Sequence, residues 1–319
     1  MRGVFLDLET IGPQDLDRRE LEASLPEWRF FGRTRRDQVA ARIAGAGVVV
    51  VNKVRLEGPT LRQASALELV CLAATGTDNV DLGTASELGL PVCNVRNYAT
   101  QAVAQQTFGL IVALSNRLLD YHTAVRSGRW QRASQFCLLD FPLRELAGLT
   151  LGIVGYGDIG RAVAELARAL GMRILLAERP GKPPRADRVG LDSLLPRADV
   201  LTLHCPLTEQ TRGLIGAAEL ARMKPDALLI NTARGGLVDE GALADALRHQ
   251  AIGGAGLDVL GEEPPTEHNP LLAPDLKNLI ITPHNAWGSR AARQRLLNAI
   301  AGNIRCFLAG SPRNVVNLT

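Results

Sequence analysis

Four side chains in the second half of the sequence have the types needed to bind an acidic small molecule and move a proton. Arg234, Asp258, Glu263 and His284 each follow, within a few residues, a short apolar segment typical of a buried strand. A planar guanidinium suits a carboxylate or a carbonyl oxygen. An imidazole exchanges a proton near neutral pH, and a neighbouring carboxylate would orient the ring and favour its protonated form. Such a ring could deliver a proton to a ketone as the ketone is reduced.

Each of these residues also has an ordinary structural explanation. An arginine in a loop is usually solvated, a glutamate before two prolines often lies in a turn, and a histidine after Pro283 could cap a helix. Glu263 and His284 are 21 positions apart, so their contact is an inference. Together they favour one site, because the carboxyl ends of parallel strands line the ligand crevice of an open sheet.

A glycine pattern lies near the middle of the chain. Gly155, Gly157 and Gly160 form G-x-G-x-x-G between an apolar segment and the helical pattern at 161–171. The first glycine permits a tight turn, the second lets the backbone approach a pyrophosphate, and the third lets helix and strand pack closely. The helix N-terminus adds free N–H groups and about half a positive charge. The pattern predicts a dinucleotide site, and a purely structural turn is the alternative.

A carboxylate follows the next predicted strand. Glu178 lies 23 residues after Gly155, where it could accept hydrogen bonds from both hydroxyls of an adenine ribose. It would also repel a 2′-phosphate, which favours NAD. Arg179 could accommodate that phosphate, so NADP stays open. A solvated charge at the end of a strand is the alternative explanation of Glu178.

The elements that must position these residues alternate between short β-branched runs and longer amphipathic stretches, which is typical of parallel sheets covered by helices. A helical pattern from about 100 to 128 is long enough to join two domains, and a last helix at 289–310 could return to the first domain. Strands are predicted at 3–8, 28–32, 47–53, 67–75 and 91–95, and then, as a complete doubly wound sheet, at 149–155, 172–178, 199–205, 226–232, 253–259 and 276–283.

Composition narrows the functional class. A chain of 319 residues with 46% apolar and 22% charged residues favours two domains. The net charge of +3 forms no basic stripe, so no nucleic-acid partner is expected. The apolar runs are too short to span a bilayer, and residues 1–10 do not resemble a signal peptide. Five widely spaced cysteines without a C-x-x-C favour a reduced, cytoplasmic protein.

The motifs together resemble the D-isomer-specific 2-hydroxyacid dehydrogenases, over essentially the whole chain. The resemblance is carried by segments 152–164, 203–216, 223–247, 256–265 and 279–289. Segments 48–56, 70–82, 128–148 and 178–185 are most similar to the glycerate dehydrogenase (hydroxypyruvate reductase) branch.

The resemblance implies an α/β fold of two doubly wound parallel-sheet domains. A Rossmann cofactor domain, 99–286, would be inserted into a flavodoxin-like substrate domain made of 1–98 and 287–319. Arg234, Glu263 and His284 would be catalytic. The implied cofactor contacts are Gly155, Gly157, Asp158, Ile159, Gly160, Glu178, Cys205, Pro206, Thr211, Thr232, Ala233 and Asp258. The implied substrate contacts are Lys53, Thr75, Gly76 and Thr77, together with Arg234 and His284.

The implied activity is the NAD(H)-dependent interconversion of a small 2-oxo acid and its D-2-hydroxy acid, with hydroxypyruvate or glyoxylate preferred and no metal. Two alternatives stay open: the same chemistry on phosphoglycerate, formate or a longer oxo acid, and an NAD-sensing binding protein. A homodimer is expected through the helical segment at 107–125 and the irregular stretch that follows it, at 129–148. Arg96-Asn97 departs from the family's usual small residue or proline followed by glycine, although asparagine tolerates a left-handed backbone. Trp287 could narrow the cleft or simply pack.

Overall fold

Two parallel sheets, each covered by helices on both faces, organise the computed structural model, which describes residues 1–179, 183 and 185–318. The chain divides into two units. Unit 1 comprises 1–99 and 287–319, and unit 2 comprises 100–286. The predicted class of two parallel-sheet α/β domains is confirmed.

Unit 1 contains a five-stranded sheet in the order β2-β1-β3-β4-β5, with every pairing parallel. Its strands are β1 (Arg2–Phe5), β2 (Glu27–Phe30), β3 (Val48–Val51), β4 (Leu69–Leu72) and β5 (Val92–Cys93). Its helices are α1 (Arg19–Glu22), α2 (Val39–Ile43), α3 (Gly58–Gln63), α4 (Leu82–Glu87) and α11 (Arg290–Leu308).

The all-valine strand β3 shows why this sheet is central to unit 1. Val48 and Val50 face a core that includes Leu296 and Ile300 of α11. Val49 and Val51 face a second core built with α2, α3 and α4. A strand buried on both faces has no polar alternation, which explains the continuous apolar run in the sequence.

Unit 2 contains a six-stranded parallel sheet in the order β11-β10-β9-β8-β6-β7. Its strands are β6 (Thr150–Val154), β7 (Arg173–Leu176), β8 (Val200–Leu203), β9 (Leu228–Asn231), β10 (Gly254–Leu257) and β11 (Leu279–Ile281). Its helices are α5 (Thr100–Ser115), α6 (Leu118–Arg126), α7 (Asp158–Ala169), α8 (Leu191–Leu194), α9 (Ala217–Leu220) and α10 (Glu240–Arg248). The strand order reverses beside β6, which is the switch point where open α/β sheets bind ligands.

The single long helix predicted from 100 to 128 is wrong, because two helices occupy that stretch. α5 ends at Ser115 and α6 begins at Leu118. Between them Arg117 adopts a left-handed backbone with φ of +50°, and this conformation ends the regular hydrogen-bond ladder of a right-handed helix.

Two minor predictions for unit 1, on Asn97 and Trp287, agree with the structure. Asn97 has a φ of +61°, so it does take the left-handed backbone that the sequence suggested for it. The Trp287 ring packs edge to face on Tyr98, with 6.4 Å between ring centroids, and belongs to the periphery of an apolar core. In the part of the chain that the structure describes, no helix combines the length and the apolarity needed to cross a bilayer.

Candidate active site

The carboxyl ends of β9, β10 and β11 lie side by side in unit 2, and the predicted polar residues follow directly. Asn231, Leu257 and Ile281 are register partners across these three strands. The pairing continues beyond the strands, because the Asp258 N–H donates to the Asn231 carbonyl at 2.9 Å and the His284 N–H donates to the Asp258 carbonyl at 2.8 Å. The sheet itself therefore brings these loops to one edge.

His284 and Glu263 are in direct contact, as the residue types suggested. The imidazole Nδ1 lies 2.5 Å from the Glu263 Oε2, and each side chain keeps about a third of its surface exposed (28% and 34%). The other carboxylate oxygen accepts a hydrogen bond from the Leu260 N–H at 2.9 Å. Because Nδ1 is engaged by Glu263, proton exchange with a substrate would use the opposite ring nitrogen, Nε2.

The backbone of His284 is left-handed, with a φ of +51°, a conformation that a side-chain-bearing residue adopts only when its surroundings hold it there. Three consecutive N–H groups wrap around Asp258. His284 donates to its carbonyl, Asn285 to its Oδ1 at 3.1 Å, and Ala286 to its Oδ2 at 2.9 Å. The Thr282 hydroxyl also donates to Oδ1, at 2.5 Å.

Asp258 itself is almost completely buried, with 1% of its surface exposed. Burial raises the pKa of its carboxyl group, while the hydrogen bonds from Thr282, Ala286 and Asn285 and the nearby His284 act in the opposite direction. Both carboxylate oxygens are thus engaged by the segment that carries His284.

Arg234 is held beside the same loops by its neighbours. The Asn231 side chain clamps the turn after β9, since its Nδ2 donates to the Arg234 carbonyl at 2.8 Å and its Oδ1 accepts from the Ala233 N–H at 3.0 Å. The half-buried Arg234 side chain donates to the Ala233 carbonyl at 2.8 Å. These contacts hold the Arg234 guanidinium at the carboxyl end of β9.

Gly235, the residue after Arg234, lies in close contact with the loop that precedes Glu263. A Cβ at this position would overlap the carbonyl of Leu260 and the nitrogen of Gly261, far inside the 3.0 Å that real Cβ atoms require. The backbone after Arg234 therefore lies against the segment that leads to Glu263. Contacts within unit 2 link all three predicted catalytic residues.

The glycine pattern adopts the geometry that its spacing predicts. Gly155 has a φ of +97°, and a Cβ there would lie 2.5 Å from the His204 carbonyl. A Cβ at Gly160 would overlap the Gly155 carbonyl, so helix α7 packs tightly against the turn. At Gly157, where α7 starts, a Cβ would meet no atom of the described residues within 4 Å. This open space beside a helix N-terminus fits a diphosphate.

The first residues of α7 complete that turn. Asp158 is half exposed, and its carboxylate is paired with Arg161 one turn later. Ile159 is half-buried and packs at the edge of the core between the sheet, α5 and α7. The arginine offsets a negative charge that would otherwise repel a phosphate at this position.

The loop after β8 contains one residue that sequence analysis missed. His204 has its Nε2 2.9 Å from the Thr202 hydroxyl, and burial lowers its pKa to about 3, so the ring is neutral. Cys205 is buried, which raises its thiol pKa. Thr211 braces the loop by accepting from the Thr208 N–H and donating to the carbonyl of the exposed Pro206, both at 2.7 Å.

Helix α5 contributes two further polar residues that were missed. Thr107 donates its hydroxyl to the Val103 carbonyl and therefore accepts from Thr232, 3.0 Å away. The Gln106 Nε2 donates to the Thr282 hydroxyl at 3.2 Å. The available signal was a run of three polar residues, at 105–107, within an otherwise apolar helical stretch at 102–111.

Glu178 follows β7, and its N–H donates to the Val189 carbonyl at 2.9 Å. The residue is half-buried, and Arg179 beside it is exposed. Pro180, Gly181, Lys182 and Pro184 of the proline-rich loop lie outside the described residues.

Four of the six predicted substrate residues lie in unit 1, after β3 and β4, whereas Arg234 and His284 lie in unit 2. The Lys53 N–H donates to the buried carboxylate of Asp7 at 2.6 Å. The Thr75 hydroxyl donates to the Val95 carbonyl at 2.7 Å, and Gly76 and Thr77 continue the same turn. Each is at the carboxyl end of a central strand of its sheet.

Comparison with known proteins decides the family. Residues 108–286 match the model of the D-isomer specific 2-hydroxyacid dehydrogenase, NAD binding domain. The chain belongs to the D-isomer specific 2-hydroxyacid dehydrogenase family. It is therefore an NAD-binding oxidoreductase, and the predicted family and cofactor class are confirmed.

Relatives of this dehydrogenase match along its whole length. It is 44% identical to the glycerate dehydrogenase of Methylorubrum extorquens, over 94% of this chain and 97% of that protein. It is 38% identical to the hydroxypyruvate reductase of Blautia hydrogenotrophica, over 99% and 100%. A crystal structure of a Thermus thermophilus protein shares the fold with a TM-score of 0.86 and 35% identity, over 99% and 100% of the two chains.

Proposed function

We propose that this dehydrogenase reduces hydroxypyruvate or glyoxylate to the corresponding hydroxy acid, and runs the reverse reaction on D-glycerate. The observation that carries the proposal is the 2.5 Å contact between His284 and Glu263, at the same edge of the sheet as Arg234 and the glycine turn. The names of the similar glycerate dehydrogenase and hydroxypyruvate reductase support the choice of substrate.

Each of the three site residues has a separate role in the reduction. Reduced nicotinamide, when bound, supplies a hydride. Arg234 binds the substrate carboxylate and the carbonyl oxygen, which orients the carbonyl carbon and stabilises the negative charge that develops on the oxygen. The Nε2 of His284 donates a proton to that oxygen, so the carbonyl group gains one hydride and one proton. Glu263 holds the ring through Nδ1 and stabilises the charged imidazolium before transfer.

Residues of the glycine turn and the neighbouring strand ends would hold the dinucleotide. The open position at Gly157 and the N–H groups of Asp158 and Ile159 would bind the diphosphate. Glu178 would accept hydrogen bonds from the ribose hydroxyls, and this supports NAD over NADP. The loop at 205–211 and the segment at 232–233 would line the remaining length of the cofactor.

We assign unit 1 as the substrate domain and unit 2 as the cofactor domain. The assignment is supported by Lys53 and the turn at 75–77, because both follow central strands of the sheet in unit 1. In this proposal Thr75, Gly76 and Thr77 offer N–H groups to the substrate carboxylate.

Initial rates of NADH and NADPH oxidation with hydroxypyruvate, glyoxylate, pyruvate and longer 2-oxo acids test the proposal. We expect the highest kcat/KM with NADH and either hydroxypyruvate or glyoxylate. Tight NADH binding without turnover of any acid would instead support the alternative of an NAD-sensing binding protein. A best substrate outside the two named acids would retain the chemistry and overturn the substrate assignment.

We also propose a homodimer formed through residues 118–143. Seven of the fourteen large apolar side chains that are exposed among the described residues lie in this stretch, including Phe136 (89% exposed) and Leu139 (77%). Such a concentration marks a surface that another protein covers, and a second copy of the chain is the occupant we expect. Sedimentation analysis should show a dimer that Phe136→Asp dissociates, whereas Leu88→Asp, at an exposed leucine of unit 1, should leave it intact. A wild-type monomer would refute the proposal.

The cysteines support a cytoplasmic location. All five thiols are free, and Cys71, Cys93 and Cys205 are buried among apolar neighbours, as is usual in a reducing compartment. Fractionation of cells that express the protein at its natural level should recover it with cytoplasmic markers.

A further inference from the structure

We propose that Gln106 and Thr282 are positioning residues for the proton donor His284, and that they act through Asp258. The proposal rests on the function assigned to His284 above. It concerns two residues that, in the proposed mechanism, do not contact the substrate.

The hydrogen bonds form a chain with one direction. The Asp258 carboxylate can only accept, so the Thr282 hydroxyl must donate its single hydrogen to Oδ1, 2.5 Å away. That hydroxyl must then accept its other bond, which identifies the Gln106 group at 3.2 Å as the amide NH2. The chain therefore runs from helix α5 through Thr282 to Asp258.

The end of the chain is the backbone that carries the proton donor. Asp258 accepts the N–H groups of three consecutive residues, which form a cradle: the His284 N–H binds its backbone carbonyl, and the Asn285 and Ala286 N–H groups bind its carboxylate. These bonds hold His284 at a φ of +51°, which a non-glycine residue would otherwise leave for a more favourable region. A carboxylate that loses the Thr282 hydrogen bond could rotate or protonate, because burial already disfavours its charge. In either case the bonds from Asn285 and Ala286 to the carboxylate would weaken, and the turn that begins at His284 would loosen.

Gln106 is the first donor of the chain, and its position is fixed because it lies on helix α5. The helix packs on the sheet through buried residues such as Ala104, Phe108 and Ile111. Gln106 is half-buried on that side, while the adjacent Gln105 is exposed. Thr107, the next residue, is bonded to Thr232, so one turn of α5 braces the loops that follow both β9 and β11. The rigid helix thus sets the position of the Thr282 hydroxyl.

Steady-state kinetics of four variants tests the proposal. Thr282→Val removes the hydroxyl at nearly constant shape, and Thr282→Ser restores it. Gln106→Leu removes the donor amide, and Gln105→Leu is the matched control at an exposed glutamine. We expect kcat to fall about tenfold in Thr282→Val, the effect of one lost hydrogen bond to a charged group. The fall in Gln106→Leu should be several-fold, with KM and NADH affinity within about twofold in both.

Rescue and coupling separate positioning from a general loss of structure. Thr282→Ser and Gln105→Leu should keep kcat within about threefold of the wild type. The double variant Gln106→Leu/Thr282→Val should be no slower than Thr282→Val alone, since both changes break one chain. Additive losses, an effect confined to KM, or an unchanged kcat in Thr282→Val would each overturn the proposal.

A second measurement keeps the inference distinct from the proposed activity. Hydrogen exchange of the peptide that spans 279–289 should accelerate at least about tenfold in Thr282→Val, while exchange within α5 stays unchanged. If the wild-type enzyme reduces no 2-oxo acid, the proposed function fails and this exchange experiment still decides the positioning. Unchanged exchange at 284–286 would refute the cradle whatever the activity.

Discussion

Gly235 offers the sharpest structural test of how the catalytic residues are held together, because any side chain there must displace the Glu263 loop. A Cβ at Gly235 would overlap the Leu260 carbonyl, so the two backbones would have to separate by more than about 1 Å to reach 3.0 Å. The loop cannot withdraw freely. The Gly261 N–H is bound to Glu240 at 2.6 Å, and the Leu260 N–H is bound to Glu263 at 2.9 Å.

The expected cost of Gly235→Ala follows from that displacement. A misplacement of about 1 Å in catalytic groups can lower the rate about 10²-fold, and overpacking of this kind costs roughly 1–3 kcal/mol of stability. We expect kcat/KM for the best 2-oxo acid to fall at least about 100-fold. NADH affinity should change only a few-fold, since the Gly155 turn lies elsewhere on the sheet edge.

The neighbouring glycine supplies the control. A Cβ at Gly236 would lie 3.0 Å and 3.3 Å from the two methyl groups of Leu207 and 3.5 Å from the Arg212 guanidinium, all of which can move. Gly236→Ala should therefore keep kcat/KM within about threefold of the wild type. Stopped-flow or steady-state NADH oxidation, with fluorescence titration of NADH, measures both quantities. A fully active Gly235→Ala enzyme would refute the tight contact between the arginine and glutamate segments.

Two further predictions concern stability and cofactor choice. Burial lowers the pKa of His204 from 6.5 to about 3. Between these two pH values the unfolded chain binds a proton at this ring and the folded chain does not, so the free energy of unfolding falls as the pH falls. Between pH 7 and pH 5 the fall due to His204 is about 2 kcal/mol. Chemical denaturation at pH 7 and pH 5 should show that the free energy of unfolding falls about 2 kcal/mol less in His204→Asn than in the wild type. In His268→Asn, at an 88% exposed histidine, it should fall as much as in the wild type. Equal falls in all three proteins would contradict the buried neutral ring. Glu178→Gln should raise the ratio of kcat/KM with NADPH to that with NADH about tenfold, because a like charge near the 2′-phosphate is removed, and an unchanged ratio would show that this carboxylate does not face the ribose.

Much of the site could be predicted because it depends on local rules. The glycine spacing at 155–160 specifies a turn and a helix start, and the parallel sheet brings the residues after β9, β10 and β11 to one edge. Each predicted strand segment overlaps an observed strand, although every observed strand has fewer residues than the predicted segment.

The parts that could not be predicted depend on contacts between distant residues. Nothing near Gly235 in the sequence indicates that it touches Leu260, and nothing near Asp258 indicates that three N–H groups from 284–286 will surround it. The break between α5 and α6 was also not predicted, because the sequence around Arg117 does not indicate a left-handed residue. The neutral state of His204 follows only from its burial in the folded chain.

One comparison tests the central claim, that His284, oriented by Glu263, delivers the proton while a 2-oxo acid is reduced beside Arg234. NADH oxidation by hydroxypyruvate and glyoxylate should be measured for the wild type and for His284→Gln, with NADH affinity determined for both by fluorescence titration. We predict that the variant binds NADH as the wild type does and that its kcat falls by about 10²-fold or more. A His284→Gln enzyme that reduces either acid at the wild-type rate would contradict the account.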